Sequence, residues 1–143
     1  MVLTTPDTEA QGYYFCAYHV AMGARFTVVQ ADPPDLVIHA KILLQVTVAE
    51  SVYFIDGNRT LEPALPAGEQ IALNMSDSTV DGHPMLLADG PDGTHAGHRV
   101  LNDSDTITYF VDGLIVSQDT YMNSFDSSHA DYSHRCAVAG GPV

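Results

Sequence analysis

Leu43 to Val48 alternates apolar and polar positions, the pattern of a strand with one face in a core. Val52-Tyr-Phe-Ile-Asp-Gly57 predicts a second strand that runs into an Asp-Gly turn. Thr106-Ile-Thr-Tyr-Phe-Val-Asp-Gly113 repeats that layout and continues as Leu114-Ile-Val-Ser117. Tyr13–Cys16 and Arg25–Val29 predict two strands around a tight bend, and Glu69–Asn74 and Tyr132–Val138 complete the set. Only Leu36–Leu44 has any helical character, and it is too short and too β-branched to hold a helix. Seven or eight short strands between scattered Gly and Pro predict an all-β fold, an antiparallel β-sandwich or barrel. The two Tyr-Phe-x-Asp-Gly hairpins echo each other locally, but nothing recurs at a fixed period.

A chain of 143 residues with 45% hydrophobic positions predicts one domain with a real core. Residues 1–30 read as an N-terminal hairpin, 31–41 (with Asp32-Pro-Pro-Asp35) as a linker, and 42–143 as the main sandwich. Five Lys+Arg against 18 Asp+Glu give a net charge of −13, which argues against nucleic acid and anionic membranes as partners. No apolar run approaches the roughly 18–20 residues that would predict a membrane-spanning helix. No signal peptide is visible in Met1–Asp7, so the expectation is either a processed product or a protein made in the cytosol and assembled later. Two cysteines, Cys16 and Cys136, are too few for a disulfide framework.

The sharpest chemical feature is Cys16-Ala-Tyr-His19-Val-Ala-Met22, a thiol, an imidazole and a thioether in one tight loop. Those donor types suit copper in a trigonal site with a long axial sulfur, which needs one more imidazole. His83, in the turn Asp81-Gly-His-Pro-Met85, is the best candidate for it. The plainer alternative is a buried thiol, a turn histidine and a core methionine. Another is a Cys16–Cys136 disulfide, which would consume the thiolate. His95 and His98 form a His-x-x-His pair in a Gly-rich loop where zinc or calcium is conceivable, but capped turns are the commoner use. His129 and His134, flanking Asp131, read as surface residues. Asp77, Asp81, Asp89, Asp92, Asp103 and Asp105 sit in turn contexts, where Asx side chains bond their own backbone. The tyrosines read as core and rim. No nucleophile elbow, phosphate-cradling loop or catalytic carboxylate pair is visible, and Lys41 is the single lysine, so the chain reads as non-enzymatic.

The segment Tyr13-Tyr-Phe-Cys-Ala-Tyr-His-Val-Ala-Met-Gly23 resembles the ligand loop of the cupredoxins, small blue-copper β-sandwiches. It is most similar to cupredoxin-like repeats in large structural proteins of marine bacteria and their phages. Val52–Gly57, Ser76-Asp-Ser78, Gly82-His-Pro84 and Asp92-Gly-Thr-His95 match the remaining motifs of those repeats. The resemblance implies an antiparallel cupredoxin-like sandwich with copper on Cys16, His19, His83 and Met22. In the family the Cys-His-Met loop comes last, whereas here it comes first. The final strand is therefore permuted within the chain or exchanged between subunits. Residues 30–41, extended at roughly 3.3 Å each, span about 40 Å, enough to cross the sandwich. Permutation within the chain is the more economical arrangement.

The resemblance leads to two expectations. The first is a structural or assembly module of a virion or extracellular assembly (a capsid decoration, fibre or filament subunit), which self-associates or binds other structural subunits and is stabilised by a metal. The alternative is a mononuclear blue-copper-type electron-transfer protein.

Overall fold

Burial alternates with period two along residues 25–29, 43–49, 52–55 and 107–111. The computed structural model describes residues 1–6, 8–30, 42–101 and 107–125. Its strands are β1 (Val2–Thr4), β2 (Ala10–Cys16), β3 (Gly23–Val29), β4 (Ile42–Ala49), β5 (Val52–Ile55), β6 (Asn58–Arg59), β7 (Ala64–Pro66), β8 (Gln70–Asn74), β9 (Met85–Ala88), β10 (Ile107–Val111) and β11 (Leu114–Val116). One helix, α1 (Gln118–Asn123), follows. Two sheets form. The larger has seven strands in the order β11-β10-β1-β8-β4-β5-β6, and the smaller has four, β7-β3-β2-β9.

In β10, Ile107, Tyr109 and Val111 turn inward, and in β5 Tyr53 and Ile55 do the same. Phe26 and Val28 answer from β3. Leu44, Ile71 and Leu73 of the larger sheet and Tyr14, Phe26 and Leu87 of the smaller line one apolar void, so the sheets meet face to face. The all-β sandwich matches the sequence expectation. Its sheets are mixed rather than purely antiparallel, because β4 runs parallel to β8 and β3 parallel to β7. Parallel neighbours need crossover connections, which hairpin signals in a sequence do not announce.

Other differences have local causes. β1 was not expected, yet it lies between β8 and β10 with Leu3 buried. β9 is buried along its whole length, so it shows no alternation to read. Gln118–Asn123 forms a helix where only strands were expected; Ser117 caps it, accepting from Thr120 N–H at 3.1 Å. The expected strand Tyr132–Val138, the linker 31–41, most of Leu36–Leu44, and the residues Asp103, Asp105, His129, Asp131, His134 and Cys136 lie outside the described residues. The Cys16 segment pairs with β3 and with β9.

Candidate metal centre

β2 delivers Cys16 at its last residue, and β3 resumes at Gly23. The intervening loop is closed by Cys16 N–H donating to the Met22 carbonyl at 2.9 Å. It returns tightly against β2: a Cβ on Gly23 would stand 2.0 Å from the Tyr14 carbonyl oxygen, so only glycine fits. A turn this tight holds Cys16 and His19 on one side of the loop.

His83 arrives by strand pairing. Cys16 is in register with Met85, two residues after His83, and Ala17 N–H donates to the Pro84 carbonyl at 3.0 Å. A 3-10 turn, Ser78–Val80, precedes it. Asp77 caps that turn, and His83 N–H donates to the Val80 carbonyl at 2.8 Å. The Tyr53 hydroxyl donates to the His83 carbonyl at 2.7 Å.

These contacts bring three of the four expected residues together. Cys16 Sγ lies 3.3 Å from His19 Nδ1 and 3.9 Å from His83 Nδ1, and the two imidazole centroids are 4.7 Å apart. Each residue offers one donor atom, and all three donors lie within 4.8 Å of one another. An ion with metal–nitrogen bonds of about 2.0 Å and a metal–sulfur bond of about 2.3 Å would separate nitrogen from sulfur by about 3.5–3.8 Å at tetrahedral to trigonal angles. The two observed distances bracket that range, so the group fits a metal ion. Cys16 is buried, His83 half-buried and His19 exposed. Met22, the fourth expected residue, is buried in the core at the end of the same loop.

Cys16 is a free thiol. Burial pushes its pKa up, while the backbone N–H groups of Tyr18 and His19 and the Tyr53 hydroxyl draw it down. Burial, and then the charge on His19, lower the pKa of His83, with Asp81 opposing. Both histidine effects favour the neutral imidazole that a metal requires. Asp81 Oδ1 is buried without a hydrogen-bond partner.

The loop after β9 braces the ligand loop at both ends. His95 Nε2–H donates to the Cys16 carbonyl at 2.9 Å, and Ala21 N–H donates to Asp92 Oδ1 at 2.9 Å. The His95 ring also stands edge-on to Phe15, with centroids 5.9 Å apart. Among the described residues no group of three or more ligands includes His95 or His98, and the His98 ring lies against Gly90. The supporting roles of Tyr53, Asp92 and His95 were missed in the sequence. Each of these side chains bonds a backbone group, which leaves no spacing signature.

The fold and site together define an all-β sandwich with a Cys-His-His group able to hold a metal ion. Comparison with protein-family models, curated proteins and solved structures finds no match to this chain.

Proposed function

We propose that this chain is a mononuclear copper protein of cupredoxin-like type that exchanges electrons through Cys16, His19 and His83. The convergence of one sulfur and two Nδ1 atoms carries this reading. Two imidazoles and a thiolate suit copper, and Met22, buried at the end of the same loop, would be the weak axial donor. Structural zinc takes four strong ligands, and among the described residues no fourth Cys, His, Asp or Glu joins the group. The exposed His19 edge, beside Tyr18 and Val20 at 55% and 67% exposure, is where an electron would enter or leave.

The test is a Cu(II) titration of the fully reduced protein, followed by visible absorption. A strong thiolate-to-copper band is expected, lost in Cys16→Ser and weakened in His83→Ala. No band with intact thiols, or an unchanged band in Cys16→Ser, overturns the reading.

A second reading is a structural or assembly module, on the scale of a virion or extracellular assembly. It is favoured by β11, the last strand of its sheet among the described residues, whose Leu114 and Ile115 are 68% and 74% exposed and carry no charge to block strand addition. Sedimentation at high concentration is expected to show self-association that Ile115→Lys weakens. A monodisperse monomer at every concentration overturns this second reading.

A further inference from the structure

The inward positions of the larger sheet fill the core, so the alternate positions face out. One outward row crosses four strands in register, Thr108–Val2–Ala72–Leu43. Further along β10, Phe110 stands beside Ile115 of β11. The remaining outward positions on β1, β8, β4 and β5 are Thr, Gln, Asn, Ala, Val and Phe. On these six described strands, β11 to β5, no outward position is charged. Small-domain surfaces ordinarily carry about 25–35% charged residues, so a face of this breadth would hold several. Charge returns at the rim, in the turn residues Asp56 and Asp112 and in Arg59, 3.5 Å from Glu50. The smaller sheet is closed differently. The loop after β9 lies over it, with Gly93 against the Phe15 ring, and Arg25 of β3 pairs with Glu62 at 3.7 Å.

We infer that the outward face of the larger sheet binds a second copy of this chain, sheet against sheet. The inference rests on the assembly reading above and gives it a surface and a partner. Each copy carries a net charge of −13, so two copies repel wherever their charges meet. A basic partner would be drawn to the acidic remainder of the surface and would gain nothing from an uncharged face. A partner of the same charge needs this face, because here two copies approach without setting carboxylates against each other. Leu43 and Ile115, 45% and 74% exposed, supply apolar area to bury, and an uncharged centre inside a charged rim is the usual anatomy of an interface. Six strands at about 4.8 Å spacing make the face about 24 Å wide, and five residues at about 3.3 Å make it about 17 Å deep. Each copy thus offers about 400 Å² in projection, which puts the pair among weak, reversible interfaces.

The test is sedimentation equilibrium of the full chain over a concentration series. Leu43→Glu is expected to raise the Kd of the pair about tenfold, because it sets two like charges in the contact. Gln11→Glu adds the same charge on the outward side of the smaller sheet and is expected to leave the Kd within about twofold. Equal effects of the two substitutions overturn the proposal. The wild type gives a check that needs no variant. From 0.01 to 0.1 M salt the screening length falls from about 30 to about 10 Å, so association is expected to strengthen. Association that weakens with salt marks an interface of paired charges and overturns the proposal. If Ile115→Lys breaks association and Leu43→Glu does not, copies add at the β11 edge; the assembly reading then stands and the face-to-face pairing falls. A monomer at every concentration removes both. Monomeric protein captured by neutral phosphatidylcholine vesicles, and released by Leu43→Glu, would give the face to lipid and overturn pairing between copies.

Discussion

Replacing Gly93 with alanine tests whether the brace behind Cys16 is a packed contact or only a neighbouring turn. Gly93 is buried at φ +49°, and a Cβ there would stand 2.3 Å from Cε1 of Phe15. Phe15 is fully buried, so its ring has no free space to enter. Gly97, in the same turn at φ +81°, would place a Cβ in the open, with nothing within 4 Å. Both substitutions carry the cost of a left-handed alanine, about 1 kcal/mol. Only Gly93→Ala adds overpacking of the core, about 1–3 kcal/mol. The expected losses are about 2–4 kcal/mol for Gly93→Ala and about 1 kcal/mol for Gly97→Ala. Urea unfolding of the metal-free proteins separates them: with a slope of about 1–3 kcal/mol/M the midpoints differ by about 1 M. Because Phe15 directly precedes Cys16, a displaced ring also carries the Cys16 carbonyl away from His95. Copper affinity is therefore expected to drop in Gly93→Ala and to stay level in Gly97→Ala. Equal midpoints for the two variants would refute the packing argument.

Three further outcomes can be checked on the metal-free protein. Tyr121→Phe removes a buried hydroxyl that donates to the Met85 carbonyl at 2.9 Å, and is expected to cost about 1–3 kcal/mol by calorimetry. Ser51→Gly is expected to stabilise by up to about 1 kcal/mol, seen as a higher urea midpoint, since Glu50 and Ser51 both hold positive φ without a glycine in their hairpin turn. Asp77→Ala is expected to cost roughly 0.5–1 kcal/mol at neutral pH by removing the cap on Thr79. The Thr79 hydroxyl and then its amide hold the Asp77 pKa below the ordinary carboxylate value. The contribution of Asp77 is thus full above the unfolded value of about 3.9 and fades as pH falls through the folded one. Variant and wild-type stabilities should converge in acid, and a constant gap across the titration contradicts the assignment.

Strands with one wet face and one dry face were legible in the sequence, because alternation is what burial on one side imposes. β4, β5, β10 and β11 fall within a residue or two of their expected limits, and the Asp56-Gly57 and Asp112-Gly113 turns sit at positive φ as Asp-Gly turns do. The turn at Glu50-Ser51 adopts the same backbone without either signal residue, so no local rule could find it. β9 escaped for the opposite reason. Met85, Leu86, Leu87 and Ala88 are all buried, and a uniformly apolar run carries no period. The parallel pairings of β4 with β8 and β3 with β7 depend on where crossovers place strands, information that is spread over the whole chain.

The site divides along the same line. Cys16 and His19 are near neighbours in the sequence, and a tight loop between antiparallel strands brings their side chains together whatever the rest of the molecule does. His83 announced itself only as a histidine in a Gly-His-Pro turn. What brings it to the sulfur is the register of Cys16 with Met85, a pairing across 69 positions. A slip of one residue in that register would turn His83 to the other face and leave Cys16 and His19 as a pair. The residues that hold this register, and with it the site, are Tyr53, Asp92, His95 and Tyr121. Three of them bond backbone carbonyls and one a backbone amide. Every sequence has such groups at every position except for the amide missing at proline, so no residue type marks the partner in advance. Ligand chemistry is written in side chains and can be read from spacing, whereas the support that makes three donors converge is written in main-chain geometry and emerges only from the fold.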